Sequence, residues 1–251
     1  MAGALPASVT RIGMLTPSSN TVIEPITAAM LAPLPDVTVH FARFTVMTIG
    51  LDGGALAQFD SAPMLAAARQ LADARVHAIA WNGTSAGWLG VEADERLCEQ
   101  ITQATGIRAV TSVLSLNALL EQGGHTRIAL VTPYTSAVQR RIIATYHSAG
   151  FEVVAERHLS LSDNFSFCEV DARQIEQMVR TVAAAQPDVI IPFCTNLAAA
   201  PLAAAMEDEL GIPIFDTVAV AVRGALDAAG YARPPLRGWG SLFAEPSKAF
   251  S

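Results

Sequence analysis

Three blocks of this chain occur twice, in the same order. Thr10-Arg11-Ile12-Gly13-Met14-Leu15-Thr16-Pro17 returns 116 residues later as Thr126-Arg127-Ile128-Ala129-Leu130-Val131-Thr132-Pro133. The stretch Val76-His77-Ala78-Ile79-Ala80-Trp81-Asn82-Gly83-Thr84-Ser85 aligns at an offset of 111 with Pro187-Asp188-Val189-Ile190-Ile191-Pro192-Phe193-Cys194-Thr195-Asn196. Gly106-Ile107-Arg108-Ala109-Val110 aligns at an offset of 105 with Gly211-Ile212-Pro213-Ile214-Phe215. Slowly drifting offsets in a fixed order are the mark of a duplicated α/β unit with loop insertions and deletions. Within the second block Gly83 faces Cys194, so only one copy carries a thiol. If the two copies meet across a cleft, that asymmetry makes Cys194 the centre of its chemistry.

The strands of each copy are apolar throughout, as strands covered on both faces must be. Hydrophobic residues are 51 % of the 251, charged residues 16 %, and mean hydropathy is +0.36, which fits a packed α/β enzyme and excludes disorder. A net charge of −7 without a basic patch argues against nucleic acid or an anionic membrane as partner. Apolar stretches are broken by Gln186-Pro187-Asp188, Asp216 and Arg223, too soon for a spanning helix of roughly 18 residues. Met1 to Ser8 has neither the basic start nor the apolar core of a signal peptide, so a cytoplasmic location is expected. Cys98, Cys168 and Cys194 form no Cys-x-x-Cys, which speaks against disulfides or structural zinc.

The expected architecture is α/β: two pseudosymmetric lobes, each a mainly parallel four-stranded sheet flanked by helices, with the site between them. Strands are expected over 11–15, 37–44, 78–81 and 109–110, then 127–131, 151–155, 189–193 and 212–215. Helices are expected over 62–74, 92–105, 113–122, 138–149, 172–185, 202–210 and 218–229, with Asp60 or Ser61 as a cap for the first of them. Residues 1–112 with a returning segment 217–251 would make lobe A, and 113–216 lobe B. The basic, Pro-rich tail from Ala232 on is loop-like and expected to fold back on the first lobe.

Polar residues collect where the strands end, and ligands of open α/β sheets bind at such ends. Cys194-Thr195-Asn196 follows a buried strand, where backbone N–H groups and a helix start favour negative charge. Polar Thr195 and Asn196 after four apolar residues would make poor core, so Cys194 is read as functional, while Cys98 within a helix is read as a small hydrophobe. Gly83-Thr84-Ser85 is the matching strand end, with two hydroxyls and successive amides for a carboxylate or a developing enediolate. Ser18-Ser19-Asn20, Tyr134 and Asn164 complete the expected cleft, although Asn20 reads equally as a helix cap and Asn164 as a turn residue. His77 and His125 immediately precede strands and His40, His147 and His158 have no evident partner, so all five histidines are read as structural or solvated. No Gly-x-Gly-x-x-Gly or Gly-x-x-x-x-Gly-Lys follows a strand, and Asp and Glu do not cluster at strand ends, so neither a nucleotide cofactor nor a metal is expected.

Thr16-Pro17-Ser18-Ser19-Asn20, Val131-Thr132-Pro133-Tyr134 and Cys194-Thr195-Asn196 together resemble the aspartate/glutamate racemase superfamily, and within it the maleate cis-trans isomerase and arylmalonate decarboxylase branch. The resemblance runs over nearly the whole chain. It implies a two-lobed, cofactor-independent enzyme with its site between the lobes, normally carrying one cysteine from each. By position, Asn20, Tyr134, Asn164 and Cys194 match the isomerase pattern of substrate-binding amides, tyrosine and second cysteine. The first cysteine would fall at Gly83, and Gly83-Thr84-Ser85 instead resembles the decarboxylase pattern, in which this segment and Tyr134 cradle a carboxylate and a lone cysteine protonates an enediolate.

Two-base racemisation needs a proton donor or acceptor on each face of a carbon, and glycine supplies neither. The resemblance therefore favours a decarboxylase of a small malonate-like dicarboxylate or related carbon acid, with Cys194 as proton donor and Thr84, Ser85, Tyr134, Thr195 and Asn196 holding the carboxylate. An isomerase or racemase working with Cys194 alone is the alternative. A catabolic member of the ectoine-utilisation kind and a dicarboxylate-binding protein without catalysis are further ones. A homo-oligomer is left open.

Overall fold

The structure, a computed structural model, describes residues 9–244. Met1 to Ser8, read above for targeting signals, and the tail from residue 245 on lie outside the described residues. Among the described residues no helix is long and apolar enough to cross a membrane.

Strand β1 (Thr10–Pro17) is buried from Ile12 onward, as its apolar run requires. Helix α1 (Ile23–Leu31) returns the chain to β2 (Val37–Phe44), and α2 (Gly53–Ala57) and α3 (Ser61–Asp73) lead to β3 (Ala78–Trp81). A single turn, α4 (Ala86–Leu89), and the long α5 (Val91–Thr105) lead to β4 (Ala109–Thr111). All four strands are parallel in the order β2-β1-β3-β4. The second copy repeats this after α6 (Ser112–Gly123), with β5 (Arg127–Thr132), α7 (Ser136–Ser148), β6 (Glu152–His158), α8 (Ala172–Ala183) and β7 (Val189–Pro192), in sheet order β6-β5-β7. It ends with α9 (Ala203–Leu210) and α10 (Thr217–Ala228).

Helix α8 shows how sequence makes such an element. Asp171 accepts a hydrogen bond from Arg173 N at its start, and Ile175, Met178, Val179 and Val182, at helical spacing, form the buried face against β5, β6 and β7. Each such side chain contributes roughly 1.5–3 kcal/mol by leaving water, so an acidic residue at Val179 would undo the docking. Asp60, in contrast, makes no side-chain cap on α3.

The sheets number four and three strands. The fourth strand expected over 212–215 is reduced to a parallel bridge between Ile190 and Ile214, with Ile190 N donating to Pro213 O and Phe215 N to Ile190 O, both at 2.9 Å. Pro213 stands where the first copy has Arg108 and has no N–H to extend a ladder. The duplication itself reaches further than the sequence blocks. Thr111 caps α6 through Leu114 N, and its counterpart Asp216 caps α10 through Val218 and Ala219 N. Ser112 Oγ donates to Trp81 O at 3.5 Å, and its counterpart Thr217 Oγ1 donates to Pro192 O at 3.2 Å. Helix α10 packs on β3 and β4 of the first sheet and on α6. In the tail, Arg223 donates to Leu242 O at 2.7 Å, and Tyr231, just before it, donates to Asp36 at 2.7 Å.

Candidate active site

The carboxyl ends of β1, β3, β5 and β7 meet where the two copies face each other. Asn20, Gly83, Thr84, Ser85, Tyr134, Asn164, Cys194, Thr195 and Asn196 are all buried there. Asn20 Nδ2 donates across the interface to Thr195 O at 3.1 Å, while its Oδ1 accepts from Val22 and Ile23 N at the start of α1. Asn20 thus turns the chain into α1 and bridges to the other copy at the same time. Asn196 Oδ1 accepts from Thr21 N at 3.1 Å, and its Nδ2 donates to Asn164 O at 2.5 Å. Asn164 Nδ2 in turn donates to Ser19 Oγ at 2.7 Å. Thr195 Oγ1 donates to Asn82 O at 3.3 Å, tying the two aligned strand ends directly.

Asn164 reaches the site because its loop crosses to the other copy. Thr48 and Asp163 form an antiparallel bridge, Asn164 N donates to Met47 O and Ile49 N to Ser162 O, both at 2.8 Å. Arg43, paired with Glu24 at 2.9 Å, holds the 18–20 loop by donating to the carbonyls of Ser18 and Asn20.

Tyr134 is the hinge of the polar network. Its hydroxyl shares a 2.8 Å hydrogen bond with Thr84 Oγ1 and another with the Cys194 sulfur, so the one-sided thiol and the hydroxyl loop of the opposite copy meet on one phenol. Trp88 and Phe167 pack edge-on against its ring, at 5.4 and 5.5 Å between centroids. Burial pushes the Cys194 thiol up to about 12; the Tyr134 hydroxyl and Asn196 N–H, 3.4 Å from the sulfur, offset this in part, and the Asp216 carboxylate adds to it. Burial likewise raises the Tyr134 hydroxyl well above its ordinary range, with Cys194 as the next cause. At neutral pH the site therefore holds a protonated thiol and a neutral phenol, both proton donors. A cavity of about 200 Å³ that Ser85 and Asp94 help line borders the site, another of about 470 Å³ lies between α5, α6 and α7, and Cys194, 2 % exposed, lines neither. The thiol is closed off from solvent.

The family model for arylmalonate decarboxylase matches residues 12–243. The chain belongs to the arylmalonate decarboxylase family. Among curated relatives, maleate isomerase of Nocardia farcinica is 26 % identical over 216 residues, covering 82 % of this chain and 85 % of that protein. Arylmalonate decarboxylase of Bordetella bronchiseptica is 25 % identical over 242 residues, covering 95 % and 98 %. A solved structure of a mutant Nocardia farcinica maleate cis-trans isomerase, carrying a covalently bound succinylcysteine intermediate, superposes with a TM-score of 0.86 at 22 % identity, covering 94 % of this chain and 99 % of that one. An arylmalonate decarboxylase family member is an enzyme, of a lyase or isomerase class.

Three features of this family member escaped the sequence reading. Asp216 is buried beside Cys194 with its Oδ2 unpartnered, but before an apolar helix it reads only as a cap, which it also is. Pairing it with Thr111 through the repeat would have set it apart. Trp81 belongs to the site although it reads as strand core, since its Nε1 donates to Ser85 Oγ at 3.4 Å. His158, expected to lack partners, has two: Ser136 Oγ at 2.8 Å and Glu156 Oε2 at 2.9 Å. Alternation along β6 puts Glu156 and His158 on one face, the signal that could have found the pair. Among the described residues no three His, Cys, Asp or Glu side chains could jointly hold a metal ion.

Proposed function

We propose that this enzyme is a cofactor-independent decarboxylase of a small malonate-like dicarboxylate or related carbon acid. The observation that carries this reading is the buried Cys194, linked through Tyr134 to the Thr84 loop, whose position equivalent to the thiol, Gly83, has no side chain. Thr84 and Ser85, with Tyr134 and the amides of Thr195 and Asn196, hold one carboxylate. The other sits where burial disfavours its charge; its carbon–carbon bond breaks, carbon dioxide leaves, and the electron pair passes into an enediolate spread over the retained carboxylate. Cys194 Sγ then gives its proton to the α-carbon, and the thiolate regains a proton from solvent. Replacing Cys194 by Ala should abolish carbon dioxide release from arylmalonates while leaving binding, read by thermal shift, largely intact. Unchanged release would refute the role.

Isomerisation of maleate is the second reading. It is favoured by Asn20 and Asn164, which converge on Asn196 and Thr195, and by relatives named maleate isomerase. Against it stands the glycine at position 83. Fumarate formed from maleate without carbon dioxide from any malonate would decide for it.

A further inference from the structure

Gly83 has no conformational reason to be glycine: its φ lies outside the left-handed region. What it lacks is room. A Cβ built on Gly83 would fall 2.5 Å from Cε2 and Cη2 of the Trp81 indole, and closer still to its Cζ2. Real side chains do not make such contacts, so the indole stands in the volume that any residue at position 83 would need.

The repeat shows what is unusual in this. Gly83 pairs with Cys194, and two residues earlier Trp81 pairs with Pro192. In one copy a compact residue is followed by the thiol; in the other a large ring is followed by nothing. The ring is also fixed. Trp81 is 1 % exposed, its strand partners are Leu15 and Thr111, and it packs on Phe44 at 5.1 Å between centroids. Its Nε1–H donates to Ser85 Oγ, which leaves the Ser85 proton free for a substrate oxygen.

We infer that Trp81 is the specificity-determining residue that makes this site one-sided, its indole occupying the place of a second acid–base group and confining proton delivery to the Cys194 face. The steric half of this stands on the geometry alone, and the consequence for proton delivery rests on the decarboxylase reading above.

The test is a cycle of Gly83→Cys, Trp81→Leu and the double variant, read by melting temperature and by isotope exchange. Overpacking should make Gly83→Cys lower the melting temperature of the otherwise unchanged protein by roughly 4–10 °C, and by less than half as much when Trp81 is already Leu. Should Gly83→Cys leave too little folded protein, Gly83→Ala, which adds only the Cβ, is run in both backgrounds. For exchange, the probe is the chiral monoacid left by decarboxylation of a disubstituted arylmalonate, incubated in heavy water. Only the double variant should take up deuterium with racemisation, needing both thiols.

A cost at position 83 that is equal in both backgrounds, or a melting temperature for Gly83→Cys within about 1 °C of wild type, overturns the steric claim. So does racemisation by Gly83→Cys with Trp81 in place. If the thermal cycle behaves as expected and wild type releases carbon dioxide, but the double variant still exchanges without racemisation, the role in one-sided delivery is wrong. If the cycle holds and no malonate is decarboxylated by wild type, the decarboxylase reading fails while the indole's placement stands.

Discussion

Two buried carboxyls make the stability of this protein depend on pH. Asp216 and Asp94 are 1 % and 2 % exposed, and burial lifts both from an ordinary value near 3.8 to about 7, against hydrogen bonds to Val218, Ala219 and Thr111 that lower them. Between about pH 4 and 7 the folded chain therefore holds protons that the unfolded chain has released, and stability falls as pH rises through that window, by on the order of a few kcal/mol per group. Asp216→Asn keeps the helix cap and removes the titration. Melting temperatures of this variant should decline less between pH 5 and 8 than those of wild type, and a decline as steep as wild type would mean that Asp216 is ionised throughout. The same substitution removes a negative charge that now raises Cys194, so the thiol's alkaline titration should move down. At this scale Cys194, Thr84 and Asn196 were legible because the repeat supplied an internal comparison. Asp216 and Trp81 were not, since a cap and a core aromatic look the same wherever they point.

Elements near the site are held by close backbone approach as much as by side chains. The single turn α4 presses Gly87 onto the end of β7: a Cβ there would lie 2.5 and 2.8 Å from Phe193 Cε1 and Cζ and 3.2 Å from Ile142 Cγ1. Phe193 immediately precedes Cys194 and stacks edge-on against Tyr146 at 5.6 Å, so it has little freedom to yield. Gly87→Ala should cost about 1–3 kcal/mol by urea midpoint, and Phe193→Leu should recover part of that loss in the double variant. Additive costs would show that α4 does not bear on Phe193. The long strands and helices were readable from apolar runs and helical spacing, with ends shifting by one to three residues. Helix α4 was not, being four residues with no period to detect, and the eighth strand was overread because apolarity around Pro213 says nothing about its missing N–H.

Around the site, the two copies are joined by side-chain amides and hydroxyls. Asn20 to Thr195, Thr21 to Asn196, Thr195 to Asn82, Asn164 to Ser19 and Thr84 to Tyr134 all cross from one to the other, each contributing about 1 kcal/mol while buried and paired. Helix α10, the last α-helix among the described residues, packs on β3 and β4 of the first sheet and on α6. We propose a division into a lobe of residues 1–112 with 217–251 and a lobe of 113–216, in which the chain leaves the first lobe once and returns to it; the packing of α10 on β3 and β4 favours the return, whereas its packing on α6 crosses the boundary at residue 112. Native-state hydrogen exchange tests this, because segments that open as one cooperative unit share an opening free energy. Amides of α10 should exchange with those of β3 and β4, and amides of β7 with those of β5 and α8. Asn196→Ala, which cuts the ties to Thr21 and Asn164, should loosen the 18–22 and 160–164 loops first and leave both sheet interiors protected. Shared protection of α10 with β7 instead would place the lobe boundary elsewhere and detach Asp216 from the first sheet.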